Sequence, residues 1–529
     1  MAYNDSLGRL TWNDLIYLSP ELTLVIAAIL LTLFDLVLPR RISRLSVGWL
    51  SLTGILVSLG FVIWFMLDMN GFGFWQDDLS VGQAKETIRL LGDSYRIDDF
   101  ANLMKIVFLS GAALIVLMAL GTVGSDDELP DKGELFTLIL PAVLGAMIVA
   151  SSGDLITIFV GLELLSITTF VLVGMRKKRV IASEAGFKYI VIGGISSAFI
   201  LFGMSYLYGV TGSTNLAMIA MGLGNAIADY NAFVYIGFFF LLGGLAAKIA
   251  AAPFHAWAPD VYQGAATPIT AFLAVISKAA ALAVMFRIFY STILMDTMFF
   301  NGGASASLGE DVFLAMKITA VAAMIVGTTA ALRQRNMKRM LALSGVANAG
   351  YLLVPLGVTI GGLHSSNMSE LLYYLIAYMF MNIGAFAVLA VVGRAAGNDE
   401  LSGFAGMYYR APWTAAAMIV LILSLAGLPV TGGFFGKLFI LFGAAQMKDY
   451  WIVAVMLATS VISYYFYFAV IRQMFMRTAD GGGEIRLPLP SALAIWICVA
   501  GTLALGIFPN PVMDWVNTVF SVSGDLFIR

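Results

Sequence analysis

The chain has one cysteine, two histidines and few charges: of 529 residues, 12% are charged against 60% hydrophobic. A soluble chain carries about twice that charge. A lone cysteine, Cys498, excludes an intrachain disulfide and any cysteine-held metal cluster. In its apolar stretch it reads as a small buried hydrophobe. Lys and Arg number 30 against 32 Asp and Glu, net −2, so there is no basic surplus to engage nucleic acid. The start, MAYNDSLGRLTWNDLIYLSPE, lacks the basic region and small-residue cleavage site of a secretory signal. No glycine-rich nucleotide loop, Walker motif, flavin fingerprint or iron–sulfur framework occurs. What remains is apolar length, with a mean hydropathy of +0.91. The composition implies an all-α polytopic membrane protein.

About 20 apolar residues cross a bilayer as helix. On that basis the chain holds 14 spans, near 15–38, 45–67, 101–120, 134–150, 152–175, 183–209, 231–252, 265–290, 312–332, 340–360, 370–393, 412–445, 451–472 and 488–508. The fourth is short and contains Pro141. Arg40, Arg41 and Arg44 follow span 1, Arg176 to Arg179 follow span 5, and Arg333, Arg335, Lys338 and Arg339 follow span 9. Arg394 and Arg410 follow span 11, and Arg472, Arg477 and Arg486 follow span 13. The loops after spans 6 and 10 have no Lys or Arg. Basic loops stay in the cytoplasm, so both termini are expected on the outer face. Residues 68–100 form an acidic external segment, expected to be a solvated loop. The tail past Pro511 is mildly amphipathic and too short for a long lateral helix.

Two spans are interrupted. The run GGLAAKIAAAPFHAWAPDVYQGA places Pro253 and Pro259 after Lys248. The run SLAGLPVTGGFFGKLFILFG places Gly427, Pro429, Gly432 and Gly433 before Lys437. Proline removes an amide donor and clashes with the preceding turn. In lipid such a break survives only where protein or water satisfies the freed groups. The two breaks lie five spans apart and so cross in opposite senses, as in an inverted repeat. The expected organisation is 1–133 with three leading helices, repeats over 134–290 and 312–475, and 488–529 with the last helix and tail.

Charges stand inside apolar spans at Glu163, Lys188, Lys248, Lys278 and Lys437. Each such charge at the bilayer centre is unfavourable by about 2.5–3.5 kcal/mol on insertion scales. They mark an ion or proton path. A lysine taken out of water holds its proton less tightly, and a nearby glutamate strengthens that hold. A Glu–Lys pair with further lysines is therefore a switchable wire. Glu163 and Lys248 are the expected pair, with Ser166 on the same face as Glu163. Lys188, Lys278, His255 and Lys437 would continue the path. His255 reads equally as a relay or as a cap at the break. Lys317 and Arg287, near loops, are expected to snorkel to the interface. His364 reads as a surface residue, and the run Tyr464 to Phe468 as packing surface.

The run KIAAAPFHAWAPDVYQGAATPITAFLAVISK, from Lys248 to Lys278, resembles the signature of antiporter-like membrane subunits of respiratory complex I. DVYQGA followed by TPITAFLA is most similar to the subunit N group of bacterial NADH:quinone oxidoreductases. IDDFANLMK, SEAGFKYIVIGGISSAFILFGMSYLYGVTGS, NMKRMLALSGVANAGYLL and SLAGLPVTGGFFGKLFI extend the likeness from about Ile97 to Phe508. The resemblance implies 14 helices, two inverted five-helix repeats and broken helices 7 and 12. It implies functional positions at Glu163, Lys188, Lys248, Lys278 and Lys437, and proton pumping in the bacterial cell membrane. It implies no redox cofactor in this chain, with FMN, iron–sulfur clusters and quinone in partner subunits. The expected partners are other membrane subunits of the complex, neighbouring antiporter-like ones included. Asn348 departs from the family's usual histidine and Ala266 from a frequent proline. Two other readings compete: a subunit of a multisubunit sodium/proton antiporter, and a passive membrane scaffold.

Overall fold

The structure, a computed structural model, describes residues 14–39, 43–69, 87–126, 129, 131–299, 304–358, 366–477, 485 and 487–520. His364, Arg40, Arg41, Arg486 and residues 70–86 of the acidic segment lie outside the described residues. Among those described, thirteen helices are long and apolar enough to cross a membrane. They begin with α1 (Ser19–Val37), α2 (Leu45–Met69), α3 (Asp99–Thr122), α4 (Lys132–Ala150), α5 (Leu155–Val173), α6 (Val180–Thr211) and α7 (Leu216–Lys248). A short helix α8 (Trp257–Gly264) follows the first break, and then α9 (Thr267–Thr297). Next come α10 (Ala304–Ala331), α11 (Met337–Gly357) and α12 (Asn367–Ala396). The expected crossing at 412–445 is divided between α13 (Pro412–Ala426) and α14 (Gly432–Gln446). The chain continues through α15 (Tyr450–Met476) and α16 (Leu489–Ile507) to a terminal α17 (Pro509–Val519).

Helix starts follow local chemistry. Asp98, Asp154, Asn215 and Asn336 stand at the N-termini of α3, α5, α7 and α11 and accept hydrogen bonds from first-turn amides, satisfying donors that have no intrahelical partner. Pro141, inside α4, does not end it. α7 starts fifteen residues before the expected span because Asn215 caps it there, and it bends at Tyr230, where φ is −136° and ψ 40°. The segment beyond that bend corresponds to the expected crossing. In α9 two π-helical stretches, Leu273–Ser277 and Tyr290–Leu294, interrupt the α geometry. Such bulges occur frequently at functional sites.

Burial separates an inner from an outer set. The hydrophobic windows of α11 and α9 are 100% and 94% buried, against 22% for α1 and 33% for α15. An apolar helix buried all round is a core helix, and one half exposed presents its other face to lipid. α9 and α11, which carry Lys278 and Asn348, therefore form the axis of the bundle.

The expectation of a solvated segment at 68–100 is corrected for its described part. Ile88–Leu90 (β1) and Tyr95–Ile97 (β2) form an antiparallel hairpin. Asp93 pairs with Arg96 at 2.5 Å and accepts from Asn215 at 2.9 Å. Asp98 and Arg96 are buried. The acidic residues here meet cations and amides of their own fold, which is why the segment docks instead of trailing in water.

Candidate functional site

The first break puts Lys248 in the last turn of α7, after which Ala250 adopts φ +59° and Pro253 lies in the turn leading to α8. Pro259 falls in the first turn of α8, where its missing amide costs nothing; it starts the second half-helix and does not break the first. The second break shows the same left-handed backbone, at Gly427 (φ +85°) and Val430 (φ +71°), on either side of Pro429. A non-glycine residue in that region is strained and persists only where its surroundings hold it. Both lysines meet the C-terminal end of the first half-helix. Lys248 is part of it, and Lys437 reaches back from α14 to donate to Leu425 O at 3.0 Å and Ala426 O at 3.3 Å. A cation is favoured there by the unsatisfied carbonyls and the helix dipole.

Lys248 Nζ stands 3.8 Å from Glu163 Oε1. It donates to Ser166 Oγ at 2.7 Å and to Ser197 Oγ at 3.3 Å. Ser197 in turn donates to the Glu163 carboxylate. The pair expected from sequence is thus assembled, with two hydroxyls holding it. Beside it lies a cavity of about 20 Å³, bordered by Ser166, Tyr189, Ser196, Lys248, Trp257 and Ser277. That is room for one water molecule among several polar groups. Ser277, one of its borders, immediately precedes Lys278 in the chain.

Lys278 is buried and donates to Gly345 O at 2.6 Å. The absence of a side chain at Gly345 makes this possible. A Cβ there would stand 2.9 Å from Lys278 Nζ and 3.1 Å from the Tyr378 hydroxyl. From Gly345 the polar groups continue along α11. Ser344 Oγ hydrogen-bonds Tyr467 Oη. Asn348 donates to Ser344 O at 3.0 Å and accepts from Tyr374 Oη at 2.5 Å. Tyr351 packs edge-on to Tyr374, and Lys437 Nζ lies 4.8 Å above the Tyr351 ring, within cation–π range. Glu163 with Lys248, then Lys278, then the groups around Asn348 leading to Lys437 thus form successive interior clusters of amines, hydroxyls and amides.

Lys188 stands apart from those clusters. Its amine meets Glu184 Oε1 and Asp260 Oδ2, each at 2.7 Å, with 39% of the side chain exposed. Asp260, on α8, also accepts from Arg339 of α11 at 2.5 Å. This is an ion cluster at one edge, tying α6, α8 and α11 together. His255 lies in the turn before α8, and its buried Nδ1 has no hydrogen-bond partner among the described residues. It does not cap α8.

Two other expectations are corrected, those for Arg287 and Tyr467. Arg287 does not snorkel. It is fully buried, holds Asp98 through both terminal nitrogens at 2.6 and 3.0 Å, donates to Ala150 O and lies over the Phe100 ring. The hairpin and the start of α3 bring the carboxylate to it, so there is no need to reach the interface. Lys317 pairs with Asp449 at 3.2 Å. Tyr467, read as packing surface, belongs to the cluster around Asn348. The sequence carried a signal for it: Thr459, Ser463 and Tyr467 repeat every four residues on the buried face of α15. So do Tyr374, Tyr378 and Asn382 on α12. A buried pair, Lys105 with Glu21 at 2.9 Å, also went unforeseen. Cys498 is buried in α16, as expected.

Apolar crossing helices, two of them interrupted beside lysines, around an interior polar row define an antiporter-like membrane subunit. Residues 152–463 match the family model described as NADH:quinone oxidoreductase/Mrp antiporter, TM. NADH-quinone oxidoreductase subunit N of Paenibacillus sp. (strain JDR-2) is 57% identical over 98% of this chain and 99% of that protein. The subunit N of Brevibacillus brevis is 44% identical over 97% and 96%. Among solved structures, a chain of respiratory complex I from Thermus thermophilus superposes with a TM-score of 0.73 at 29% identity, covering 94% of this chain and 98% of that one. A chain of the Mrp complex from Dietzia sp. superposes at 0.80 but is 18% identical over 98% of each chain, a likeness of fold alone. The chain belongs to the NADH:quinone oxidoreductase/Mrp antiporter family, among its subunit N members.

Proposed function

We propose that this chain is the proton-translocating subunit N of a bacterial NADH:quinone oxidoreductase, driven by quinone reduction in other subunits. The observation that carries this reading is the row from Glu163 through Lys248 and Lys278 to Lys437, amines held by serines, carbonyls and phenols. Glu163 and Lys248 act as the switchable pair. With the carboxylate close, the amine keeps its proton; with it withdrawn or neutralised, the proton moves to the next site. Lys278 and Lys437 have no carboxylate partner among the described residues, so each passes on a proton without breaking an ion pair.

Lys188 serves at the edge of this row and not within it, and the half-buried His255 lies beside the first break as a reserve acceptor. The chain itself carries no redox group; FMN, iron–sulfur clusters and quinone reside in partner subunits. Both termini lie on the outer face, supported by the arginine and lysine bias of the odd-to-even loops. The two repeats, 134–290 and 312–475, are inverted relative to one another. The matched left-handed residues at the two breaks, and a lysine against the end of each first half-helix, support that relation.

Replacing Lys248 by alanine in the assembled complex should abolish proton pumping in vesicles, and unchanged pumping would remove the assignment. The sodium/proton antiporter is the competing reading. Co-purification with flavin- and iron–sulfur-bearing subunits supports the first. Sodium-sensitive growth of a deletion strain with NADH oxidation intact would favour the second.

A further inference from the structure

The basic residues of the odd-to-even loops are not scattered. Arg176 and Arg179 from the turn between α5 and α6, Lys338 from the first turn of α11 and Arg394 from the last turn of α12 line one hollow of about 230 Å³. It is far larger than the 20 Å³ cavity beside Lys248, so it has room for a polyatomic ion and not only a single water. Asp126 and Asp399 also line it. Asp126 meets Arg176 at 2.5 Å and Asp399 meets Lys338 at 3.0 Å. Among the described residues of the lining, four cations thus stand against two carboxylates, an excess of two positive charges. Lys338 is buried and is repelled by both Arg176 and Arg179. Like charges drawn together out of water are unfavourable, and a bound anion offsets that. Arg394 is steadied by the carbonyls of Gly121 and Thr122 at 3.3 and 3.4 Å. Thr267 and Pro268, the first residues of α9, belong to the same lining. No side chain caps that helix start, so the positive end of its dipole adds to the field.

We infer that this hollow binds a phosphate dianion, as inorganic phosphate or as the phosphate group of a monoester. A phosphomonoester carries about −1.5 to −2 charge at neutral pH, which matches the excess of two. Guanidinium forks take phosphate oxygens two at a time, and the lining has three of them. The helices that end at the hollow are α3, α9, α11 and α12, whose apolar windows are 83%, 94%, 100% and 89% buried. They belong to the inner set, so the anion enters from solution, on the side that the proposed orientation makes cytoplasmic, and not from the lipid around α1 or α15. Bound there, it meets residues of both proposed repeats, Arg176 and Arg179 of the first and Lys338 and Arg394 of the second. It therefore fastens the two repeats at this end, as Asp260 does between Lys188 and Arg339. None of these lining residues belongs to the proposed proton path.

The test is calorimetric titration of inorganic phosphate into the whole complex, held in phosphatidylcholine nanodiscs at constant ionic strength in chloride. Wild type is compared with Arg179→Gln/Arg394→Gln recovered at wild-type levels, so that phosphate sites elsewhere in the complex cancel. Wild type should bind one more equivalent of phosphate than the variant. A lipid source is read separately, by counting retained anionic phospholipid with mass spectrometry. One fewer such lipid on the variant would assign the same site to a lipid-borne phosphate. If the double variant fails to assemble, the wild-type complex carries the test through phenylglyoxal, which modifies arginines. Arg394 is exposed, and phosphate should slow its modification severalfold against chloride at equal ionic strength. Equal phosphate uptake and equal lipid content in wild type and variant would overturn the site. So would labelling of Arg394 that neither phosphate nor anionic lipid in the discs alters.

Discussion

Arg287 and Lys278 lie on the same helix, α9, and both are buried, yet their surroundings are opposites. Arg287 is enclosed by a bidentate carboxylate from Asp98, a backbone carbonyl and an aromatic face. Lys278 has one carbonyl and a nearby phenol. A guanidinium is always protonated, and with a fixed counterion it serves as a fastening between α9, the start of α3 and the end of α4. An amine held only by neutral acceptors can give its proton away. Depth in the bundle therefore does not by itself mark a transport residue. Under the proposed function the closeness of the partner does: Lys248, 3.8 Å from Glu163, and Lys278, on a carbonyl, stay able to exchange a proton, and the same distinction separates Lys105, closed by Glu21 at 2.9 Å, from Lys437, held by carbonyls at a helix end.

The largest effect should come from breaking the closed set. Arg287→Gln leaves the Asp98 charge buried without its partner, which destabilises by about 3–5 kcal/mol. The amount of assembled complex recovered from membranes should drop sharply, and Arg287→Leu/Asp98→Leu should restore much of it. Normal yields of Arg287→Gln would erase the contrast drawn here. Glu163→Gln should do less. Lys248 keeps Ser166 and Ser197, so assembly is expected at wild-type levels while pumping falls severalfold, and Glu163→Asp should recover part of it. Equal pumping by Glu163→Gln and wild type would mean that the carboxylate is a fastening after all. The smallest effect is expected for Lys188→Gln. The exposed cluster keeps Arg339 on Asp260, and exposed ion pairs contribute little, so pumping should change by less than about twofold. A loss comparable to that of Lys248→Ala would return Lys188 to the row.

Much of this was legible in the residues. Apolar length located the crossings, because a bilayer sets the length of its helices, and proline with glycine marked the two breaks. The Glu163–Lys248 pair could be anticipated from depth and charge. The rest depended on which helices become neighbours. Arg287 is near a loop in sequence, and only docking of the hairpin at β1 and β2 supplies Asp98. Lys188 stands only about five residues into its expected span, and the turn after the first break brings Asp260 to it and ties it at the edge. α7 runs past its expected start because one asparagine caps it. The hydroxyl clusters were partly written in the four-residue spacing of Tyr374, Tyr378 and Asn382 on α12 and of Thr459, Ser463 and Tyr467 on α15. In an apolar helix that spacing means a polar face turned inward, and it was hidden by reading aromatic residues as packing alone.

The central claim, that the buried amines not closed by a directly contacting carboxylate carry protons, is tested most directly at Lys278. Lys278→Arg keeps the charge and a comparable length but cannot release a proton. NADH-driven proton uptake into vesicles, measured on complex assembled at wild-type levels, should be lost or severely reduced. Pumping at the wild-type rate with arginine in place would contradict the account.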